Sequence, residues 1–183
     1  SQTRDVLSYG SRLLVPTNKG LGVLRGMSWR NITGAEGLCY EDTTCVAPGF
    51  EKEDLWIGTT RGAIRSVRGE YQYFGYARWI PHEKVNAVAV GDRVVYLATD
   101  GGLGIIRYEP YTLQKKAAWY ERWIEEWGMR RLGFISTLSW DEKRGEWIRF
   151  ISDNDGGWAA HLMNAYAFKY AVTKDPAVRE QAV

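Results

Sequence analysis

Short apolar runs, each closed by glycine, asparagine or a polar pair, fill the chain from residue 5 to residue 107. One arrangement recurs three times, at residues 12–20, 54–62 and 94–102. Each copy has an apolar run, a Thr, a polar residue, one further residue and a Gly, and a second apolar run follows. The pattern predicts β-strands joined by tight turns.

The aligned glycines Gly20, Gly62 and Gly102 are 42 and 40 residues apart. A repeat of about 40 residues made only of strands and turns is typical of β-propeller blades. The expected strands are 5–9, 13–15, 21–24 and 29–33 in the first copy, 55–57, 63–67 and 71–74 after a start near Leu38 in the second, and 85–90, 94–98 and 103–106 in the third. In the second copy a loop with two cysteines, followed by Pro48-Gly49, is expected to interrupt the blade. Three blades, the last one strand short, leave a ring that typically needs about four to eight incomplete.

The periodicity changes from two to between three and four residues after Tyr111. It predicts an amphipathic helix with Thr112 as N-cap and Gly128 just beyond its end. A β-hairpin is expected from 134–140 and 146–151, then a second helix over about 158–172 that is apolar on most of its circumference and so buried on several sides. A third helix begins at Asp175-Pro176.

The fold class is therefore mainly β with a C-terminal α part. The expected domains are residues 1–110, a partial propeller, and residues 111–183, a helical region. A third helix of about two turns, together with an incomplete ring, predicts that the sequence is a piece of a longer protein.

Composition narrows the class of function. With 45% hydrophobic and 25% charged residues, the chain has an ordinary globular composition. A net charge of +2, with both signs interspersed, excludes the clustered basic face of a nucleic-acid-binding protein. No apolar run of about 18 residues exists, so no membrane span is expected. Most of the 9 Trp and 11 Tyr are expected in the core.

Two signals favour an extracellular, secreted location. Cys39 and Cys45 are either two free thiols in a cytosolic protein or a small disulfide loop in a secreted one. Asn31-Ile32-Thr33 is an N-glycosylation acceptor just before a glycine turn. Together they predict a disulfide between Cys39 and Cys45 and a glycan on Asn31.

The repeat resembles a known family. Residues 54–62, with residues 85–90 leading into the next copy, resemble the two-component-regulator type of propeller repeat, found in sensor ectodomains of bacteria that act on polysaccharides and in other large secreted proteins. The resemblance covers about residues 5–107. Pro16 and Ala98 depart from the small residue of the motif, which is Gly58 in the second copy.

The helical part has its own resemblance. Residues 152–158 and 165–176 resemble an inner helix of an α/α-toroid, as in unsaturated glucuronyl hydrolases and some polysaccharide lyases, and the match spans about residues 112–183. It implies that Asp153 and Asp155 face the toroid mouth as general acid, general base or sugar ligands. The alternative is helix capping, because Asp is favourable at a helix N-terminus.

Other candidate residues have competing interpretations. His161 is either a hydrogen-bonded core residue or a lyase general base. The run Asp153-Asn154-Asp155-Gly156 lacks the closing Glu of a calcium loop, so no metal site is expected. Trp147, Arg149 and Trp158 are candidates for binding an acidic glycan, although core packing is the alternative. No nucleophile motif, phosphate loop or dinucleotide fingerprint is present, so no cofactor is expected.

Two classes of function follow. The first is a secreted recognition or structural module, not an enzyme by itself, that assembles with copies of itself or other chains through open propeller edges. The alternative is a fragment of a polysaccharide-active enzyme, a uronate-type lyase or glycosidase, and a sensor ectodomain is a third possibility.

Overall fold

A computed structural model describes residues 2–127, 130–131 and 134–182. The chain divides into two compact units, Ser1–Glu109 and Pro110–Val183, and each is described by itself. Within the described ranges, no helix combines the length and hydropathy that crossing a membrane requires.

The first unit consists of three antiparallel sheets in which neighbouring strands follow one another along the chain. The first sheet has strands β1 (Leu7–Tyr9), β2 (Arg12–Thr17), β3 (Gly20–Arg25) and β4 (Ser28–Ile32). The second has β5 (Thr43–Pro48), β6 (Asp54–Thr59), β7 (Gly62–Val67) and β8 (Glu70–Phe74). The third has β9 (Val85–Gly91), β10 (Val94–Thr99) and β11 (Gly102–Arg107). No closed ring of sheets occurs in the described part of the chain.

The Thr and Gly of the sequence repeat form one turn three times. The hydroxyl of Thr17 donates to the carbonyl of Gly20 at 2.8 Å, and Thr59 and Thr99 do the same to Gly62 and Gly102 at 2.7 Å. Gly62 has a φ of 109°, which a residue without a Cβ adopts readily. The repeat therefore encodes a hairpin between the second and third strands of each sheet.

Two apolar clusters hold the three sheets face to face. Between the first and second sheets lie the side chains of Leu14, Leu21, Leu38, Val46, Ile57 and Ile64. Between the second and third lie those of Cys45, Trp56, Ala63, Phe74, Ile80, Val85, Val95, Leu97 and Ile106. Neighbouring residues such as Trp56 and Ile57 contribute to opposite clusters, because side chains alternate along a strand.

The first strand of the second sheet was placed wrongly by the sequence pattern. β5 spans Thr43–Pro48, the stretch predicted as an interruption, and the strand does not begin near Leu38. The pattern missed this strand because it contains the polar residues Thr43 and Thr44, whose hydroxyls make hydrogen bonds to neighbouring sheets. The Thr43 hydroxyl donates to the Thr17 carbonyl, and the Thr44 hydroxyl donates to the Val85 carbonyl. The other strands predicted for this unit are confirmed.

The predicted disulfide is wrong, since Cys39 and Cys45 are not bonded. Cys45 lies in β5 with its thiol buried between the second and third sheets, where a Cβ on Gly58 would come within 2.4 Å of the sulfur. Cys39 lies exposed in the preceding loop. Burial raises the pKa of the Cys45 thiol, which makes it an inert core residue.

The second unit combines helices with two short hairpins. Its elements are α1 (Leu113–Glu126), β12 (Arg130–Arg131), β13 (Phe134–Ile135), β14 (Thr137–Asp141), β15 (Glu146–Phe150), α2 (Asp155–Thr173) and α3 (Pro176–Gln181). β12 pairs with β13 and β14 with β15, both antiparallel.

The capping predictions for α1 and α3 are confirmed. The Thr112 side chain accepts a hydrogen bond from the Lys115 amide at 3.2 Å, and Asp175 accepts one from the Ala177 amide at 2.9 Å. Gly128, the predicted end of α1, lies outside the described residues.

The prediction that the second helix is buried on several sides is wrong. Only Asp155, Ala159 and Tyr166 of α2 are buried, and they form one stripe toward β13 and α3. Phe168 and Val172 are 76% and 85% exposed. The helix is apolar all round, but elements of its own unit cover only one side. A toroid is not seen among the described residues.

Candidate functional site

The two aspartates proposed as catalytic residues occupy different environments. Asp155 is the first residue of α2, only 8% exposed, and its carboxylate accepts a hydrogen bond from the Ser152 hydroxyl at 3.0 Å. A negative charge there interacts favourably with the helix dipole. Asp153 lies exposed in the preceding turn. The N-cap residue is Asn154, which makes no side-chain capping hydrogen bond, so Asp155 fits only the helix-dipole part of the capping alternative. A catalytic role for either aspartate stays a prediction.

His161 is exposed rather than buried in the core, which corrects the core interpretation. It lies on α2 beside Trp158, with the ring centroids 6.3 Å apart. The two rings border a shallow depression of about 410 Å³, together with Leu162 and Ile135, Ser136 and Thr137 of the segment around β13. Neither candidate aspartate lines the depression, so the structure brings His161 together with Trp158 but with neither of these two carboxylates.

Trp147 belongs to a continuous group of five rings, which we call the tryptophan surface: Trp119, Trp123, Trp127, Trp140 and Trp147. Consecutive ring centroids are 5.5–6.1 Å apart, from Trp119 through Trp123 and Trp127 to Trp147 and Trp140. Trp140 and Trp147 face each other across the β14–β15 hairpin and are half exposed. Arg149 follows two residues after Trp147 and is also exposed.

Sequence reasoning missed most of this group. Trp119, Trp123 and Trp127 recur every four residues, a spacing that places them on one side of α1. That spacing is a usable signal, but the sequence analysis predicted only an amphipathic helix here and expected most of the tryptophans in the core. In the structure Trp119 and Trp127 are both about two-fifths exposed.

A buried ion pair lies in the first unit, and nothing in the sequence analysis predicted it. Asp54 at the start of β6 accepts two hydrogen bonds from the Arg65 guanidinium on β7, at 2.9 and 2.8 Å. The Tyr108 ring lies 4.7 Å from that guanidinium and the Phe50 ring 5.5 Å. Hydrogen bonds to Asp54 raise the pKa of Arg65, and burial raises the pKa of Tyr108 to about 12. The cluster fastens the end of the third sheet to the second.

The outermost sheets of the first unit each present an unpaired apolar face. The third-sheet end face consists of Ala87, Ala89, Tyr96, Ala98, Leu103 and Ile105, which the strand register places side by side. Tyr96, Leu103 and Ile105 are 37%, 58% and 45% exposed. The first-sheet end face consists of Leu13, Val15, Gly22, Leu24 and Trp29. Such faces are characteristic of interaction sites when they are contiguous.

Backbone hydrogen bonds between successive sheets also follow the repeat. The Gly20 amide donates to the Glu41 carbonyl at 2.6 Å, and the Gly62 amide donates to the Glu83 carbonyl at the same distance. Both acceptors lie 21 residues after their glycine, in the segment that leads into the next sheet. Within the described ranges, no such segment follows Gly102 in the first unit.

Possible metal ligands are not clustered. Among the residues that the structure describes, no group of three or more His, Cys, Asp or Glu side chains is placed to hold a metal ion.

Comparison with known proteins gave structural neighbours only. No family model and no curated protein matches the chain. The extracellular domain of the one-component system BT4673 from B. thetaiotaomicron is similar, with 12% identity and a TM-score of 0.48 over 79% of this chain and 19% of that one. The extracellular domain of the hybrid two-component system BT3049 from the same organism has 15% identity and a TM-score of 0.41 over 83% and 27%. The computationally designed Ika8 protein has 16% identity and a TM-score of 0.44 over 59% and 34%.

This chain therefore spans about a fifth to a third of the length of these solved structures. Extracellular domains of bacterial regulatory systems are among the structures that it resembles.

Proposed function

We propose that this chain is a recognition or structural module that assembles head to tail with a second copy of itself, through the two end faces of the first unit. The observation that supports the proposal is the place of the end-face residues within the repeat. Each end face occupies the repeat positions that form the two sheet-to-sheet interfaces inside the same unit.

The forward-facing positions show this correspondence. Aligning the three turns makes Leu14, Trp56 and Tyr96 equivalent. Leu14 is buried against the second sheet and Trp56 against the third, with 1% and 0% of their surface exposed. Tyr96 is 37% exposed because no sheet follows it in this unit. Leu103 has the same relation to the buried Leu21 and Ala63.

The backward-facing positions correspond in the same way. Val15, Ile57 and Leu97 are equivalent, and Ile57 and Leu97 are buried against the preceding sheets. Val15 and its neighbour Leu13 face away from the second sheet, and 38% of the Leu13 surface is exposed. A copy placed with its first-sheet end face on Tyr96 would therefore repeat an interface that the chain already uses twice.

Backbone hydrogen bonding supports the same arrangement. The Gly20 and Gly62 amides each donate to a carbonyl in the segment that leads into the next sheet. A second copy would place such a segment beside the equivalent amide of Gly102. Head-to-tail contacts between different surfaces form rings when the rotation closes. Two copies of three sheets would give six, which lies within the range of about four to eight blades in closed propellers.

Assembly is expected from sequence at the open edges of the sheets, whereas the structure presents the sheet faces for it. The faces are the better candidates because they carry large exposed apolar side chains, and burial of apolar surface drives association. A pairing of edges would use backbone groups alone.

An extracellular location is also proposed. Since Cys39 and Cys45 are not bonded, the signal for it in the sequence is the glycosylation sequon at Asn31. Asn31 of the glycosylation sequon lies on β4 opposite Gly22, next to the first-sheet end face, and its amide donates to the Lys19 carbonyl. A glycan attached there would obstruct that face. Glycosylation of Asn31 and head-to-tail assembly therefore exclude each other.

The assembly is tested by light scattering on the full chain at rising concentration. The expected mass rises from 20.9 kDa toward twice that value. Leu13→Arg and Tyr96→Arg should each hold the mass at that of the monomer, because every interface in a closed dimer uses both end faces. Met27→Arg, at a fully exposed site in the turn between β3 and β4, is the matched control and should assemble normally.

Mixing the two end-face variants gives a stricter test. One Leu13→Arg chain and one Tyr96→Arg chain together retain one intact pair of faces, so the mixture should form a heterodimer that neither variant forms alone. Circular dichroism checks that each variant is folded. A wild-type chain that stays at 20.9 kDa at every concentration overturns the proposal.

A second candidate function is glycan recognition by the tryptophan surface. The observation that favours it is the run of five neighbouring rings, of which Trp140 and Trp147 are half exposed. The apolar faces of sugars pack on aromatic rings, and Arg149 on the same strand could pair with a sugar carboxylate. Titration with oligouronates should quench tryptophan fluorescence, and Trp147→Ala should weaken the response more than Trp158→Ala. Equal effects of the two substitutions would contradict this site.

The same titration separates the remaining alternatives. A sensor ectodomain should change its state of assembly when the oligouronate binds, which light scattering would detect. A lyase should release unsaturated products that absorb in the ultraviolet, and His161→Ala should abolish that absorbance. Among the described residues, the candidates Asp155 and His161 are not brought together, because Asp155 bonds to Ser152 and does not line the depression beside His161.

A further inference from the structure

We propose that the first unit has a binding groove for a small carboxylate-bearing sugar of the size of one uronic acid, between its first and second sheets. The groove encloses about 310 Å³ and has an apolar floor that includes Leu14, Leu21 and Ile57. It is independent of the assembly proposal, because it is lined by residues that neither end face contains.

Positive charge dominates the groove. Its lining includes three arginines, Arg12 at the start of β2, Arg30 on β4 and Arg68 in the turn after β7, and a single acid, Glu53. Within the described part of the chain, none of the three arginines lies within 4.0 Å of a carboxylate. One acid outside the lining, Glu36, interacts with one of the three arginines: hydrogen bonds from Thr33 and, to a smaller extent, the Arg30 charge lower the pKa of the Glu36 carboxyl.

Two tyrosines form the aromatic part of the wall. Arg12 lies over the Tyr9 ring, with the guanidinium carbon 5.6 Å from the ring centroid, a cation–π arrangement that restrains the guanidinium. Tyr71 lines the groove and is partly buried. Burial raises the pKa of Tyr71, and the charges of Arg30 and Glu36 act on it in opposite directions.

The arginines, the apolar floor and the tyrosine rings together fit one chemical class of ligand, a sugar that carries a carboxylate. A guanidinium pairs with a planar carboxylate through two parallel hydrogen bonds, which an exposed lysine does not reproduce. The apolar floor and the tyrosine rings suit the C–H faces of a sugar ring, and the hydroxyls of Tyr9, Tyr71 and Ser66 can bond to sugar hydroxyls. The volume is at the lower end of the range for ligand pockets, which is about 300–1,000 Å³. A monosaccharide fits that size, and a polysaccharide segment does not.

The test is isothermal titration of the full chain with glucuronate, using glucose as the matched probe that lacks only the carboxylate. Glucuronate should bind at least about tenfold more tightly than glucose, since a hydrogen bond to a charged group contributes about 1.5–3 kcal/mol. Arg12→Gln, Arg30→Gln and Arg68→Gln should each weaken binding by about 3- to 10-fold. Arg61→Gln, in the exposed turn between β6 and β7 and outside the lining, should leave it unchanged.

Two further measurements, one with acetate and one with the variant Tyr96→Arg, complete the test. Acetate carries the carboxylate without the sugar, and acetate binding as tight as that of glucuronate would overturn the proposal, as would arginine variants that bind normally. Tyr96→Arg, which should prevent assembly, is expected to bind glucuronate like the wild type. If the assembly test fails and glucuronate still binds, the assembly proposal is wrong and the proposed binding groove is retained.

Discussion

At the scale of single residues, the first unit contains a buried ion pair between Asp54 and Arg65. Asp54 has no exposed surface and Arg65 is 7% exposed, so both have lost the hydration that they have in the unfolded chain. The bidentate hydrogen bonds and the rings of Tyr108 and Phe50 around the guanidinium replace that hydration. Breaking such a pair is costly because the remaining charge stays buried without a partner.

Asp54→Ala is expected to lower the free energy of unfolding by about 3–5 kcal/mol, because it leaves the Arg65 guanidinium unpaired in the core. Urea denaturation followed by circular dichroism measures the loss. Glu51→Ala is the matched control: Glu51 lies 3.7 Å from the same guanidinium but is 55% exposed, and a surface partner contributes less than about 1 kcal/mol.

Asp54→Leu and Arg65→Met, each made singly and then combined in one double variant, form a double-mutant cycle. Because the double variant removes both charges, it should lose less stability than the two single substitutions added together. Purely additive losses would show that the two residues contribute separately and that the pair is not the source of the effect.

At the scale of elements, each turn after the second strand of a sheet is closed by the same pair of residues. The Thr hydroxyl bonds to the Gly carbonyl within the turn, and the Gly amide at Gly20 and Gly62 reaches the next sheet. A single four-residue turn therefore sets both the hairpin and the spacing between sheets. This double role explains why the Thr and Gly recur while the apolar residues around them vary.

Gly62→Ala should be far more destabilising than Gly69→Ala, although both glycines lie in the second sheet at positive φ, 109° and 87°. A Cβ on Gly62 would lie 2.7 Å from the Phe74 carbonyl oxygen, whereas nothing lies within 4 Å of one on Gly69. We expect a loss of about 1–2 kcal/mol for Gly69→Ala from backbone strain alone. For Gly62→Ala we expect at least about 2 kcal/mol more.

Thermal unfolding of the two variants beside the wild type measures this difference. Equal melting temperatures for the two variants would mean that the space around Gly62 adjusts at little cost.

At the scale of the whole molecule, the two units differ in how much apolar surface they bury. The first has two apolar clusters that include large side chains such as Trp56 and Leu97. In the described part of the second, the buried apolar side chains are Ala159, Tyr166 and Val178, while Trp140, Phe168 and Val172 remain at least half exposed. Stability from burial should therefore be concentrated in the first unit.

Hydrogen exchange in rising urea should show the second unit opening first. Amides of α2 are expected to lose protection at lower urea concentration than amides of β6 and β7, because the smaller core gives a smaller free energy of opening. Residues 1–109 expressed alone should keep the midpoint that β6 and β7 show in the full chain. Loss of protection in both units at the same urea concentration would contradict the difference.

Much of the first unit was predictable from sequence because its signals are local. The alternation of apolar residues, and a Thr and Gly within four residues of each other, are sufficient to place most strands and the turn between β2 and β3. β5 was missed because Thr43 and Thr44 satisfy their hydroxyl groups on other sheets, which no local pattern records. The Asp54–Arg65 pair was missed for a similar reason, since its 11-residue separation becomes a contact only when β6 pairs with β7.

The sequence by itself determined the strands of the repeat other than β5, the caps of α1 and α3, and the change from strands to helices after Tyr111, because each depends on interactions within a few residues. Only the tertiary structure decided that Cys45 is buried and unpaired, that His161 is exposed, that three arginines meet around one groove, and that Tyr96 lacks the cover which Leu14 and Trp56 have. Burial and charge clustering depend on which elements pack together, and equivalent residues in a repeat are buried only where another sheet lies against them.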